Sequence, residues 1–110
     1  MARFVKGDIV VVPFPFSDLT ESKRRPTLVI ADLDGDDVIL CQITSRTTKD
    51  KYSIILEGSD FSEGSLRQAS NIRPNRLFTA DTHIILYRVG KLKQKKITEV
   101  MSSIIKIIAD

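Results

Sequence analysis

Tryptophan is absent from this chain, and cysteine and histidine occur once each. The lone cysteine, Cys41, has no intrachain partner, which excludes a disulfide-stapled scaffold. Its place in an apolar strand pattern predicts a small core residue in a reduced, cytoplasmic setting. A single histidine, His83, excludes catalysis by a pair of imidazoles. It lies in the apolar run Thr82-His83-Ile84-Ile85-Leu86, where a structural role is expected. No apolar run approaches the ~20 residues of a membrane-spanning helix, and residues 1–8 contain no apolar core of an export signal. Charge of one sign is only mildly favoured: 17 Lys and Arg against 14 Asp and Glu, a formal net charge of +3. The placement of that excess matters more than its size. Basic residues cluster at 23–25, 46–51, 67–76 and 88–96, a distribution that suits a polyanionic partner.

What remains is an ordinary globular composition, 42% hydrophobic and 28% charged over 110 residues, the size of one domain with one core. Residues 8–14 are β-branched and nearly continuous, as in a strand covered on both faces, with Pro13 marking an edge or bulge. Further strands are expected at 26–32, 38–44, 52–56, 65–73, 76–80 and 82–89, with a turn, or a short helical stretch, at 57–64. Asp34-Gly35 is a hairpin signal, and it accounts for the acidic run Asp32, Asp34, Asp36 and Asp37 better than a metal loop does. No metal site and no cofactor are expected. From Lys95 the apolar period turns helical through Ile97, Val100, Met101, Ile104, Ile105 and Ile108. Ile107 widens that stripe, so the helix either docks deeply on its own core or also covers a partner. The pattern predicts a mainly β fold, a small bent antiparallel sheet or barrel with a C-terminal α-helix.

Candidate functional residues gather at strand ends. In Lys23-Arg24-Arg25-Pro26 the proline fixes the backbone, and Arg25 offers a planar, permanently charged fork suited to phosphate. Gln42-Ile43-Thr44-Ser45-Arg46 ends the third strand, where alternation puts Gln42 and Thr44 on one face. In Ser70-Asn71-Ile72-Arg73 it puts Asn71 with Arg73, opposite Ser70. Hydroxyls, an amide and arginines at strand ends can together bind a phosphate and a base edge. Taken singly, each also has a plain structural reading as a turn or backbone-satisfying residue. Phe16, in the polar loop 15–25, either stacks a base or packs that loop on the barrel.

Gly7-Asp8-Ile9-Val10, Arg25-Pro26-Thr27-Leu28-Val29-Ile30, Ile43-Thr44-Ser45 and Ser70-Asn71-Ile72-Arg73 occur in an order and spacing that resembles the MazF/PemK-like toxins of type II toxin–antitoxin systems. The resemblance runs from Lys6 to the terminal helix. It implies an SH3-like barrel, a homodimer, and a metal-independent endoribonuclease acting on single-stranded RNA. It further implies that Arg25 and Thr44 carry the chemistry. Lys23, Arg24, Ser45, Arg46, Ser70, Asn71 and Arg73, with Phe16, are then the candidate RNA contacts. A cognate antitoxin with an acidic tail is the implied protein partner. Many relatives carry an acidic residue and a glutamine where this chain has Ser70-Asn71. The competing readings are a toxin of the same fold that inhibits a protein such as DNA gyrase, and a plain nucleic-acid-binding barrel.

Overall fold

The computed structural model describes residues 4–14, 23–45 and 50–110, the side chains of Phe14 and Lys23 excepted. Phe16 and Arg46 lie outside the described residues. Among those described, the strands are β1 (Asp8–Phe14), β2 (Lys23–Asp32), β3 (Asp37–Thr44), β4 (Ile54–Leu56), β5 (Phe61–Gly64), β6 (Ser70–Asp81) and β7 (Tyr87–Leu92). They are followed by α1 (Gln94–Ala109). All ladders are antiparallel, and the strands form one sheet in the order β4-β6-β3-β2-β1-β7-β5. The sheet curls into a half-barrel closed on one side by the helix, the fold class expected from the strand and helix periods.

Alternation sorts the apolar side chains into two cores. Ile9, Leu28, Ile30, Cys41, Ile43 and Ile72 face the helix, which contributes Ile97, Val100 and Ile104. Val10, Val12, Val29, Val38 and Leu40 form a second cluster on the opposite face, with Phe4, Phe78, Ala80 and Ile85 packed against it. This is why β1 reads as an unbroken apolar run: both of its faces are covered. The widened helical stripe is only partly used, since Ile105 and Ile108 are 59% and 70% exposed.

Pro26 is placed where no ladder needs its missing donor. Val11 pairs with Pro26, yet its carbonyl accepts from the Leu86 N–H at 2.9 Å on the β7 side. Val11 and Pro26 are therefore a non-hydrogen-bonded pair. Pro74 shows a second solution. Two strands were expected around Pro74-Asn75; instead β6 is continuous. Its register against β3 jumps from Cys41↔Leu77 to Ile43↔Ile72, and residues 73–76 bulge out opposite Gln42. The Cys41 thiol donates to the Arg73 carbonyl at 3.1 Å, serving a group the bulge takes off the ladder. Burial pushes that thiol pKa up to about 12, so it is protonated and unreactive in the folded chain.

Two further segments depart in part from expectation. The segment expected at 57–64 as a turn, or a short helical stretch, does hold a short 3-10 helix (Gly58–Asp60), but this is followed by β5, an edge strand paired with β7 that buries only Phe61. The strand expected at 82–89 begins later. Residues Thr82–Ile84 form a 3-10 turn capped by Asp81, whose carboxylate accepts from the His83 N–H at 2.8 Å and lies 2.6 Å from the His83 ring. β7 follows from Tyr87.

The Gly7-Asp8 pair has a structural purpose. Gly7 adopts φ +99, and a side chain there would collide with Ile97 of α1. The buried Asp8 carboxylate accepts from the Val5 N–H at 2.9 Å and from Arg88 Nε at 3.0 Å. Arg88 also reaches Glu63 at 2.7 Å, so a single guanidinium ties β1 and β7 to the edge strand β5.

Candidate nucleic-acid interface

The ends of β2, β3 and β6 lie side by side, and the ladder registers decide which side chains meet there. Thr44 pairs with Asn71, and Asn71 pairs with Ile55 on its other side. Thr27 pairs with Gln42, and that register carried two residues further sets Arg25 across from Thr44. Arg25 also pairs with Val12. Val12, Arg25, Thr44, Asn71 and Ile55 thus make one row over five strands, successive members about 4.8 Å apart. Ile43 and Ile72 point into the helix-side core, so Thr44 and Asn71 project from the other face, as does Arg25 beside Val12.

Thr44 retains 7% of its exposure and is held by strands on both sides, a fixed post rather than a swinging arm. Arg73 lies two residues along β6 on the same face, but its guanidinium is committed to Asp50 at 2.5 Å. The Asp50 carboxylate also accepts from the backbone N–H groups of Tyr52 and Ser53, each at 3.0 Å. Arg73 thereby braces the turn that leads into β4. Its side-chain hydrogen bond holds the Asp50 pKa below the usual carboxylate range. A depressed carboxylate pKa stabilises the fold above the ordinary aspartate value, and that contribution is lost as pH falls through the folded pKa.

On the opposite face of the same strand ends opens a groove of about 880 Å³. Arg24, Arg25 and Pro26 form one rim, and Ile43, Ser45 and Ser70 lie on its floor side. The turn containing Ser65, Leu66, Arg67 and Gln68 forms the far wall, and Val11, Tyr87 and Val89 complete it. Ser70 is buried, and its hydroxyl donates to the Gln68 carbonyl at 2.9 Å, which shapes that wall. Of the residues singled out from sequence, Arg25, Thr44 and Asn71 share the row, while Arg24, Ser45 and Ser70 meet Arg25 at the groove. Arg67, Gln68 and Tyr87 were not singled out. Arg67 stood at the head of a basic cluster, but only the β5–β6 turn brings it to the groove that Arg24 also lines. Among the described residues no group of three or more His, Cys, Asp or Glu side chains is placed to hold a metal ion.

A curled antiparallel half-barrel with one C-terminal helix defines the SH3-like barrel class. Within that class the chain belongs to the PemK-like, MazF-like toxin family of type II toxin–antitoxin systems, whose family model matches residues 5–108. Solved structures share the fold at low identity. MazF of Deinococcus radiodurans superposes with a TM-score of 0.77 at 16% identity, each chain fully covered. An endoribonuclease in complex with its cognate antitoxin, from a mycobacterial species, gives 0.76 at 10% identity, with 99% of this chain and 96% of that chain covered. The Mycobacterium tuberculosis toxin MazF-mt6 gives 0.70 at 14% identity, covering 93% and 96%. No curated protein matches the sequence. No helix among the described residues is long and apolar enough to cross a membrane.

Proposed function

We propose that this toxin is an endoribonuclease that cleaves single-stranded RNA by attack of a ribose 2′-OH on its own adjacent phosphate. The observation that carries this reading is the Arg25–Thr44–Asn71 row, a cation, a hydroxyl and an amide on neighbouring strands. In the reaction the 2′-oxygen bonds to phosphorus, the bond from phosphorus to the 5′-oxygen breaks, and the 2′ proton passes to hydroxide while water protonates the leaving oxygen. Arg25 neutralises the charge of the phosphorane through two parallel N–H donors. Thr44 and Asn71 orient the ribose and the non-bridging oxygens. Neither arginine nor threonine titrates near neutrality, so the rate rises smoothly with hydroxide and shows no bell-shaped profile. His83, paired with Asp81 at the far end of β6, belongs to another part of the molecule.

The test is incubation of the purified chain with a long RNA in excess chelator. Fragments ending in a 2′,3′-cyclic phosphate and a 5′-hydroxyl are expected. Activity that needs magnesium, or products with a 5′-phosphate, would contradict the mechanism. Intact RNA with inhibited gyrase would select a protein-directed toxin instead. An antitoxin with an acidic tail suits the exposed arginines of this sheet end. Adding the product of an adjacent small reading frame is therefore expected to abolish cleavage; binding without inhibition would place that protein elsewhere.

The chain also assembles as a homodimer in this reading. Ile105 and Ile108 are 59% and 70% exposed, an apolar helix surface that a second copy would cover. Sedimentation at micromolar concentration is expected to return twice the chain mass, and a clean monomer would remove the claim.

A further inference from the structure

The groove shares Arg25 with the Arg25–Thr44–Asn71 row, its other lining residues have no role in the chemistry proposed above, and yet that lining is chemically specific. Three arginines, three serines and a glutamine line it, with no carboxylate among its described lining residues. Alternation aims Arg24 and Pro26 at the groove, and Arg25, a member of the row, also lines it.

Tyr87 sits where an aromatic ring has no core to fill. It pairs with Val11, which pairs with Pro26, so the three form a row of β7, β1 and β2 along the groove. Tyr87 is 47% exposed and lines the open volume. The strand beneath it is rigid, because Arg88, the next residue, is tied to Asp8 and Glu63. Arg67 lines the same groove and makes no ion pair among the described residues. An exposed ring on a rigid strand, sharing a groove with an uncommitted guanidinium, is the arrangement that binds a base by its π-face and its phosphate by charge.

We infer that Tyr87 is a base-stacking platform for a nucleotide flanking the cleaved bond, with Arg67 and Arg24 holding that nucleotide's phosphates. The inference rests on the RNA reading above and adds a second nucleotide subsite on the other face of β2. The ring carries the affinity there, so this subsite tolerates any base.

The chain has two tyrosines and no tryptophan, so a Tyr52→Phe variant reports Tyr87 fluorescence alone. The probe is a fully 2′-O-methylated RNA strand, which cannot be cleaved, compared with the same strand made abasic at the flanking positions. Stacking is expected to quench the Tyr87 emission with the intact strand and to leave it unchanged with the abasic strand. Tyr87→Phe is expected to bind within about twofold of wild type. Tyr87→Leu, which keeps apolar volume but removes the ring, is expected to bind about tenfold to a hundredfold more weakly and to lose the preference for the intact strand. Circular dichroism of each variant checks that the fold persists. If Tyr87→Leu binds as tightly as wild type, or the emission does not change on binding, the platform is overturned while cleavage by wild type keeps the RNA reading intact. If wild type neither binds nor cleaves RNA, both fall together.

Discussion

Replacing Arg25 with alanine is expected to slow RNA cleavage by at least about a hundredfold under single-turnover conditions. The charge that develops on the phosphorane is then met only by Thr44 and Asn71, which are neutral. Arg25→Lys is expected to recover part of the loss and not all of it, because an ammonium is a point charge and lacks the planar fork. Thr44→Ala is expected to cost less, since a neutral hydroxyl contributes less than a charged donor, and Thr44→Ser should retain most of the rate. Gel-resolved cleavage of an end-labelled RNA measures all four. A fully active lysine variant would remove the bidentate role, and an unimpaired alanine variant would remove Arg25 from the site.

Gly64→Ala is expected to lower stability by at least about 2 kcal/mol, and the melting temperature by roughly 10 °C. Gly64 holds φ +71 at the end of β5, and an added Cβ would collide with the Val89 carbonyl oxygen and lie 2.7 Å from Gly90 Cα. Those neighbours are backbone of β7 and cannot swing aside, so the β5–β7 pairing must open. The turn that carries Arg67 and Gln68 begins at the next residue, and the groove wall should loosen with it. Gly58→Ala is the control, because a Cβ there meets nothing within 4 Å and the backbone does not occupy the left-handed region. Thermal unfolding followed by circular dichroism separates the two variants. Equal melting temperatures would mean that β5 contributes little to the cooperative fold.

Much of this architecture was legible in residue order, because it depends on local period and local chemistry. The β-branched run of β1, the Asp34-Gly35 turn and the helical spacing from Ile97 to Ile108 each reflect a choice made within a few residues. So does the aim of Arg25, which Pro26 sets through its own fixed φ and its restraint on the residue before it. Alternation alone put Asn71 with Arg73 and apart from Ser70, and it put Cys41 in the core. Pairing partners far along the chain decided the rest. β5 carries almost no apolar signal and exists because β7 lends it a ladder and Gly64 and Gly90 let the two backbones approach. Pro74 read locally as a strand break, yet the flanking ladders with β3 and the thiol of Cys41 hold it inside one bulged strand. The commitment of Arg73 to Asp50, the row from Val12 to Ile55 and the meeting of Arg67, Tyr87 and Arg24 around one groove all depend on register between strands. Register is set by the packed whole, since a slip of one residue would turn every side chain of a strand to the other face.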